Sequence, residues 1–580
     1  MQIYQQIPQH NQFIVKNKIS EQLTQTIIFN SDFDSGNLKS AERIQQNQFY
    51  LTTVADGEFS NTELPQKSWF HFSVQGFNPK QQAKFIIPGI TMLFQVSKSP
   101  DFFKPVYKTQ NGNWRKSPYQ VVFLTKENNE LELQFDFVFD NDKPIFFAFS
   151  FPWTYTENCQ FMEQLQQEYS RDSEIYFNYE TIIKSPEGRN VDLLTISSQE
   201  GQTQEQEDYI DPLLFPDREN QQRPSRFRKN KMIVAFTGRV HPGETPASHS
   251  MNGIIKFLLS KKDARAQILR KYFVFKIIPL LNPDGVYHGH YRFDIFGQNL
   301  NRYYDNPDPN KQPSCYAVRK LIEYLNEDKR VFFYSDLHSH PRKLGCFFYG
   351  NAVDDLPQQV ESQLYAKIVG MNSINLEYEN CNFSKKHMNA KDRNEDVTKQ
   401  SCARVQVQKI TGIIHCYTLE NGYHQNNFIS ELPYPTSTHR RFGTYGYTEP
   451  DAENFQSDLY KRGPPPYNIQ IYEQIGRAML ISILDIFDKN PYSRLPSSNY
   501  KNIDTLRRDL AVQVARQDRF KKDDSVPQKI KNITNLIKEQ FFKQFKEKKV
   551  FDLSERGNQQ KRFTISKGKS NIQKIKSANF

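Results

Sequence analysis

The pattern of apolar residues changes near residue 157, and this change divides the chain into two parts of different construction. From about residue 27 to residue 155, aromatic and β-branched residues alternate with polar ones. A period of two, interrupted by Gly and Asn/Asp turns, predicts the antiparallel strands of a β-sandwich. After residue 157, strand-like apolar runs alternate with segments whose apolar residues have helical spacing. The runs lie at 232–236, 273–281, 331–334 and 413–418, and the helical segments lie at 246–259, 317–325, 359–371 and 469–487. This order predicts an α/β domain in which helices flank a mixed sheet.

The chain has 580 residues, which is more than one ordinary domain of about 100–200 residues contains. We therefore expect four regions: an N-terminal extension (1–26), a β-sandwich domain (27–155), an α/β domain (156–490) and a basic C-terminal tail (491–580). A polar, charged stretch at residues 199–230 is predicted to be a surface loop or linker.

Several classes of protein are excluded by composition and local pattern. The apolar runs are shorter than the roughly 18–20 residues that a membrane span needs. The first residues are polar and lack the apolar segment of a secretion signal. The six cysteines show neither CxxC nor zinc-finger spacing, so no disulfide framework is predicted. We expect a protein of the cytosol or the nucleus.

The net charge of +11 is concentrated at the C-terminus. Residues 501–580 hold 21 Lys and Arg against 9 Asp and Glu, a net charge of +12, so the rest of the chain has a net charge of −1. Within this region, residues 530–545 have the pattern of a basic amphipathic helix. Such a segment could be a solvated helix on a flexible tail, or it could contact an acidic protein tail, calmodulin or an anionic surface.

A His-x-x-Glu pair, His241 and Glu244, follows the predicted strand at 232–236. In α/β proteins ligands bind beyond the ends of strands, and this pair can offer a nitrogen and an oxygen to one zinc ion. His338, at the end of another apolar run, is our choice for the third ligand. Asp336 and His340 could orient neighbouring groups, or His340 could merely form a hydrogen bond with a loop. Two histidines and one glutamate leave an open position, as in a catalytic zinc site.

A catalytic site of this type also needs a base and cationic groups. Glu420 closes the apolar run that starts at residue 413, where partial burial would raise its pKa toward neutrality. Arg292 and the pair Asn301-Arg302 lie between the ligand candidates, and arginine can bind a carboxylate or stabilise an oxyanion. Each residue alone is commonly an ordinary surface or ion-pair residue, so the prediction rests on their combination.

The motifs around these residues resemble those of the cytosolic carboxypeptidases, which are zinc metallocarboxypeptidases of the funnelin type and deglutamylate tubulin. The similar segments are residues 241–248, 281–286, 289–292, 299–302, 336–338 and 412–420. Segments outside the site resemble the subtype that removes branch-point glutamates, at residues 31–38, 67–74, 146–149 and 344–351. The resemblance covers residues 27–490 and implies a small β-sandwich packed on an α/β carboxypeptidase domain.

The resemblance also implies a role for each candidate residue. His241, Glu244 and His338 would bind one zinc ion. Glu420 would be the general base and later pass its proton to the leaving amine, and Arg292 would polarise the scissile carbonyl. Zinc lowers the pKa of its water toward neutrality, which would let Glu420 act at pH about 7.

Substrate binding is assigned by the same resemblance. Asn301 and Arg302 would hold the terminal α-carboxylate of the substrate. Segment 399–405 is similar to the family's pocket strand, and Arg404 occupies the position whose positive charge receives a glutamate side chain. Ser401 and Ala403 stand where the family usually has glycine, so the pocket could differ in shape.

Together these features predict a zinc carboxypeptidase that removes glutamates from side-chain branches, including the γ-linked branch-point residue, on tubulin or microtubules. Such an enzyme would act in the cytoplasm, on the cytoskeleton or in the cilium. Two alternatives stay open. One is a microtubule-binding module without activity, and the other is an enzyme that shortens linear acidic tails or removes a C-terminal tyrosine, which Arg404 disfavours. Nucleic-acid binding through the C-terminal tail is not excluded by the sequence, although no aromatic-interleaved basic platform supports it.

Overall fold

A computed structural model describes residues 12–18, 24–58, 66–91, 102–127, 130–391, 398–429, 432, 433, 435, 463–521 and 523–542. Its N-terminal part contains a sheet of six strands in the order β1-β2-β5-β11-β7-β8 and a sheet of five in the order β3-β4-β6-β10-β9. The strands are β1 (Gln12–Lys18), β2 (Thr24–Asn30), β3 (Ser40–Gln45), β4 (Gln48–Thr52), β5 (His71–Gln75), β6 (Gln82–Ile87), β7 (Val106–Thr109), β8 (Arg115–Lys116), β9 (Val121–Thr125), β10 (Leu131–Val138) and β11 (Ile145–Ala148). All pairs are antiparallel except β4 with β6.

Aromatic side chains fill the space between these two sheets. The alternating residues Leu133, Phe135 and Phe137 of β10 point inward and are buried, while the residues between them are partly exposed. Phe85 and Phe147 approach each other from opposite sheets, with ring centroids 5.5 Å apart. The alternation visible in the sequence is therefore the alternation between core and outer face.

The C-terminal part contains a mixed sheet of seven strands in the order β12-β13-β17-β16-β18-β20-β19. The four central strands β17, β16, β18 and β20 are parallel, and the outer pairings, β12 with β13, β13 with β17 and β19 with β20, are antiparallel. The strands are β12 (Ile175–Lys184), β13 (Asn190–Ser198), β16 (Met232–Gly238), β17 (Phe273–Ile278), β18 (Val331–His340), β19 (Phe347–Gly350) and β20 (His415–Gly422). The predicted α/β fold class is confirmed.

Helices cover both faces of this sheet. Apolar side chains of α2, α6, α9 and α10 pack on one face, and those of α5 and α8 pack on the other. The helices are α1 (Tyr155–Tyr169), α2 (Thr245–Leu258), α3 (Ala264–Tyr272), α4 (Pro283–Tyr287), α5 (Pro313–Leu325), α6 (Leu356–Asn372), α7 (Lys385–Met388), α8 (Ala403–Thr411), α9 (Ile469–Ile486), α10 (Ile503–Ala515), α11 (Val526–Lys531) and α12 (Ile533–Ile537). None of the helices in the described part of the chain has the length and apolarity to cross a lipid bilayer.

Helices α2 and α9 pack backbone against backbone. A Cβ atom on Gly253 would lie 2.2 Å from the carbonyl oxygen of Glu473, and one on Gly476 would lie 2.0 Å from that of Ser250. These two glycines allow the close contact. It fixes α2, which begins directly after Glu244.

Two polar segments of the sequence are folded against this domain. Within residues 199–230, β14 (Gln202–Gln206) pairs with β15 (Ser225–Phe227), and the buried Arg223 forms an ion pair with Glu180 of β12 at 2.5 Å. In the region predicted as a tail, α10, α11 and α12 pack against α6. The buried Arg507 of α10 binds both carboxylate oxygens of Glu361, at 2.9 and 2.8 Å. The amphipathic helix predicted over residues 530–545 is not one continuous helix, because α11 ends at Lys531 and α12 covers Ile533–Ile537, and residues 543–545 lie outside the described residues. Ile533 and Ile537 of the predicted apolar face are buried in the domain core.

Candidate active site

Three adjacent parallel strands bring the candidate residues to one edge of the sheet. His241 and Glu244 lie in the turn between β16 and α2, and His338 lies near the end of β18. His338 pairs in register with Glu420 of β20, so these two side chains lie side by side on the same face of the sheet. The carboxyl ends of the parallel strands thus collect residues that are far apart in the sequence.

His241, Glu244 and His338 form a compact cluster whose ligand atoms all lie within 4.8 Å of one another. Nδ1 of His241 is 2.8 Å from one carboxylate oxygen of Glu244, and Nδ1 of His338 is 2.9 Å from the other. The two Nδ1 atoms are 3.2 Å apart. All three side chains are buried.

The outer nitrogens of both imidazoles have partners that fix the rings. Nε2 of His241 lies 2.9 Å from Oδ1 of Asn299, and Nε2 of His338 lies 2.7 Å from a carboxylate oxygen of Asp336. With the Nε2–H groups donating outward, both Nδ1 lone pairs face the Glu244 carboxylate. Such a set of lone pairs and negative charge fits a divalent metal ion, and the carboxylate and amide partners are the usual supports of metal-binding histidines.

The electrostatics of the cluster favour a positive charge. Burial acts to raise the pKa of Glu244, but the facing His241 and His338 outweigh it and hold that pKa well below its usual value. Burial acts to lower the pKa of His338, but Asp336 and Glu244 outweigh it and raise that pKa. The backbone N–H of Ser339 also donates to Glu244, at 2.8 Å. The carboxylate is therefore held ionised at the centre of the cluster.

The cluster opens into a cavity of about 640 Å³. The structure brings all eight residues selected from the sequence to its wall: His241, Glu244, Arg292, Asn301, Arg302, His338, Arg404 and Glu420. Two residues of the β-sandwich, Gln66 and Thr91, also line it. The cavity therefore lies where the two domains meet.

Glu420 has the environment of a general base. Burial and the neighbouring Glu244 raise its pKa to about 7, although His338, Lys399 and Arg404 act in the opposite direction. A carboxyl group with this pKa can accept a proton at neutral pH and return it later.

Arg404 lies in the first turn of helix α8, so the expectation that it belongs to a strand was wrong. The sequence from Ala403 to Val407 alternates between apolar and other residues, but all five are buried, so periodicity does not distinguish helix from strand. Helix α8 ends at Gly412, whose φ of +71° is the left-handed conformation that closes a helix.

The guanidinium of Arg404 is directed into the cavity with few protein partners. The side chain is 3% exposed, and its Nη1 donates to Oγ1 of Thr418 at 3.5 Å. Its Nε and Nη2 atoms are buried and have no hydrogen-bond partner among the described residues. The neighbouring backbone N–H of Ala403 donates to Asn301 at 3.1 Å, which links Arg404 to the proposed site for the α-carboxylate.

Some residues of the cavity were not selected from the sequence. Tyr349 stacks on His387 with ring centroids 4.0 Å apart, and the Arg404 guanidinium lies 5.8 Å from the Tyr349 ring. Tyr349 belongs to a segment that resembles the subtype, whereas no local pattern marks His387. Of the two roles considered for His340, the structure shows the hydrogen bond with a loop, because its ring accepts from the backbone N–H groups of Arg342 and Lys343.

The cavity wall is strongly cationic. Among the described residues that line it, six carry a Lys or Arg charge and two carry a carboxylate; the cations are Arg292, Arg302, Arg342, Lys391, Lys399 and Arg404, and the acids are Glu244 and Glu420. A cleft with this excess attracts acidic ligands.

Comparison with known families agrees with this geometry. Residues 159–453 match the model of the zinc carboxypeptidases. The chain belongs to this family. Residues 29–149 match the cytosolic carboxypeptidase N-terminal domain, which identifies the β-sandwich. The predicted family and enzyme class, a metallocarboxypeptidase, are thereby confirmed.

Individual relatives give the same result. The chain is 30% identical to human cytosolic carboxypeptidase-like protein 5 over 83% of its own length and 66% of the relative's. It is 33% identical to cytosolic carboxypeptidase 6 of Caenorhabditis elegans over 56% of this chain and 65% of the relative. The crystal structure of a metallo-carboxypeptidase from Burkholderia cenocepacia superimposes with a TM-score of 0.57 at 19% identity, covering 80% of this chain and 99% of that one. The last comparison supports the fold alone.

Proposed function

We propose that this member of the zinc carboxypeptidases removes glutamate residues from polyglutamylated proteins. One observation carries the proposal: the buried guanidinium of Arg404, short of protein partners, shares a cationic cavity with the His241–Glu244–His338 cluster and with Glu420. The His241–Glu244–His338 cluster is the proposed site of hydrolysis, and the Arg404 guanidinium is the proposed binding site for an acidic side chain of the substrate.

The ligand set fits one zinc ion per chain, held by Nδ1 of His241, Nδ1 of His338 and the Glu244 carboxylate. A zinc ion bound there supplies a Lewis acid and lowers the pKa of water. Asn299 and Asp336 hold the two imidazoles in the orientation that this binding requires.

The remaining residues account for the proton and charge transfers of peptide hydrolysis. Glu420 accepts one proton from the attacking water and later donates it to the nitrogen of the leaving glutamate as the C–N bond breaks. Arg292 donates hydrogen bonds to the carbonyl oxygen as negative charge develops on it. The products are a shortened chain with a new carboxylate and free glutamate.

Substrate selection follows from the cationic wall. Asn301 and Arg302 bind the α-carboxylate of the terminal residue, and Arg404 binds its side-chain carboxylate as a charge-assisted pair. Arg342 and Lys399 lie on the same wall and suit the further carboxylates of a polyglutamate chain. An apolar terminal side chain would leave Nε and Nη2 of Arg404 buried without a hydrogen-bond partner.

Tubulin or microtubules are the proposed substrate and partner, and the branch-point glutamate is the proposed bond. This rests on the segments that resemble the branch-point subtype, including 344–351, which contains the cavity residue Tyr349. The basic residues at 501–580 would accelerate encounter with acidic tubulin tails. Such an enzyme would work in the cytoplasm, on the cytoskeleton or in the cilium. Shortening of linear acidic tails is the second candidate, since the same cavity accepts an α-linked glutamate.

Mass spectrometry of polyglutamylated tubulin, incubated with zinc-loaded protein, tests this proposal. Glu420→Gln removes the base without changing the shape of the side chain, and Glu379→Gln changes an exposed acid as a matched control. Loss of the branch-point glutamate with wild type and with the control, but not with Glu420→Gln, is the expected result. Loss of linear glutamates alone would refute the branch-point assignment. No loss at all would favour a microtubule-binding module without activity.

A further inference from the structure

We propose that Asp56, in the N-terminal β-sandwich, is a positioning residue that holds the loop carrying Arg292 in place for the reaction. The proposal rests on the role of Arg292 in the proposed function. It extends the active site into a domain that contributes none of the residues with a proposed chemical role.

The carboxylate of Asp56 accepts three consecutive backbone hydrogen bonds across the domain boundary. Oδ1 accepts from the N–H of Tyr291 at 2.7 Å, and Oδ2 accepts from the N–H groups of Arg292 and Phe293 at 2.5 and 3.1 Å. Three donors on one carboxylate fix both the position and the direction of this backbone segment. The side chain of Arg292 starts from its centre and lines the cavity.

Asp56 itself is held firmly. It is 1% exposed, and its backbone N–H donates to the carbonyl of Gln66, a residue that lines the cavity, at 2.8 Å. A buried carboxylate is costly unless hydrogen bonds compensate it, and here N–H groups of the loop supply that compensation. The burial of the Asp56 carboxylate therefore depends on hydrogen-bond donors from the other domain.

Two further contacts attach the same loop to the sandwich. The N–H of Ser35 donates to the carbonyl of Tyr287 at 2.9 Å, and the side-chain amide of Asn37 donates to the carbonyl of Gly289 at 2.9 Å. Among these contacts, those of Asp56 are the ones made to the backbone of Arg292 itself. Removing Asp56 should thus loosen residues 291–293 without detaching the whole loop.

The loop also contacts the turn that contains the metal-ligand candidates. The N–H of Gly243, adjacent to Glu244, donates to the carbonyl of Tyr291 at 2.7 Å. A change at Asp56 could therefore act through the metal site instead of through Arg292. The experiment must separate these two routes.

The test compares Asp56→Asn and Asp56→Ala with Asp34→Asn, in the full-length, zinc-loaded protein. Asp34 is a matched control because it also lies in the sandwich and accepts a backbone hydrogen bond from the other domain, from Thr156 at 2.6 Å, but it does not contact the Arg292 loop. Hydrogen–deuterium exchange of residues 287–295, zinc content, and kcat and KM for glutamate release from a glutamate-terminated peptide are measured. Each variant is also made with Arg292→Ala.

We expect the amides of residues 291–293 to exchange about tenfold faster or more in both Asp56 variants and to be unchanged in Asp34→Asn. Since misplacement of a catalytic group by about 1 Å can cost about 100-fold in rate, kcat should fall by about 10- to 100-fold, with zinc content and KM nearly unchanged. In the Arg292→Ala background the same changes should have almost no further effect on kcat.

Three results would overturn the proposal. They are unchanged exchange at residues 291–293, loss of zinc from the Asp56 variants, and an equal fall in kcat in the Arg292→Ala background. If Asp56→Ala does not fold, Asp56→Asn, which keeps one acceptor oxygen, decides the question. Failure of the proposed function is seen separately, as a wild-type protein that releases no glutamate, and the role of Asp56 falls with it.

Discussion

Replacing Arg404 with methionine should remove activity on glutamate without destabilising the protein. In the absence of substrate, Nε and Nη2 of Arg404 are buried and unpaired among the described residues, and Nη1 has one long hydrogen bond to Thr418. Each buried polar group without a partner costs about 1–3 kcal/mol. Methionine has a similar length and fills irregular space well. We expect the free energy of unfolding of Arg404→Met to be unchanged or to increase by about 1–2 kcal/mol.

Arg507→Met provides the contrast. Arg507 forms two short hydrogen bonds with Glu361, and both side chains are buried. Methionine here would leave the Glu361 carboxylate buried and unpaired, which costs about 3–5 kcal/mol. The two substitutions are chemically identical and differ only in what the guanidinium binds in the folded protein.

The two variants should differ in activity in the opposite sense: Arg404→Met, the more stable variant, should be the less active on glutamate. Hydrogen bonds to a charged partner contribute about 1.5–3 kcal/mol each, so the loss of two lowers kcat/KM for glutamate release by about 10²- to 10⁴-fold. Release of a C-terminal methionine or leucine should improve in Arg404→Met. Arg507→Met should retain wild-type kcat/KM at temperatures where it is folded.

Urea unfolding followed by tryptophan fluorescence gives the stabilities, and steady-state kinetics with peptides that differ only in the terminal residue give the specificities. If Arg404→Met is destabilised as much as Arg507→Met, then Arg404 is a structural residue and the assignment of the pocket is refuted. Undiminished glutamate release by Arg404→Met would refute it equally.

Chelation should abolish glutamate release and lower the midpoint temperature of unfolding, because a ligand that binds the folded state stabilises that state. Added zinc should restore both properties in the wild type but not in His338→Ala. Calorimetry measures the midpoint, and product analysis measures the release. Gly253→Ala should destabilise the protein in urea unfolding, because its Cβ would lie 2.2 Å from the carbonyl oxygen of Glu473. Burial raises the pKa of Asp192 to about 7. The folded state therefore keeps this proton up to a higher pH than the unfolded state does, and the free energy of unfolding decreases as pH rises from about 4 to about 7. Asp192→Asn should flatten that dependence, and an unchanged slope in urea titrations would contradict the assignment.

The strands and the metal-ligand candidates could be predicted because their signals are local. The run at 331–334 is apolar enough to be a strand in any context, and His338 and Glu420 stand at or near the ends of such runs. Parallel pairing then places strand ends at one edge of the sheet. This is why residues about 100 positions apart could be assigned to one site, as His241 and His338 were.

Contacts between distant segments could not be predicted in this way. Asp56 stands in a turn-like segment with no feature that points to residues 291–293. Arg223 lies in a polar stretch typical of a surface loop, and its burial becomes intelligible only with Glu180 of β12 beside it. The helical state of Arg404 was hidden for a related reason, because a helix segment buried on all sides has no polar face to reveal its period.

The distribution of charge predicts two steps of substrate recognition: encounter of an acidic protein with the basic C-terminal segment, and binding of a terminal glutamate in the cavity. Outside residues 501–580 the chain has a net charge of −1, so a cationic cavity is not a consequence of overall basicity. Instead, among the described residues, six cations and two carboxylates line one cavity of about 640 Å³, whereas Glu361, elsewhere in the domain, pairs with Arg507. Buried charges are screened weakly by salt, whereas exposed charges, such as those of Lys501 and Lys531 in the basic C-terminal segment, are screened within about 10 Å at 0.1 M ionic strength. Raising the salt concentration should therefore raise KM for a large acidic protein more than for a short glutamate peptide, since the peptide needs the cavity alone. Equal salt dependence for both substrates would place recognition entirely within the cavity.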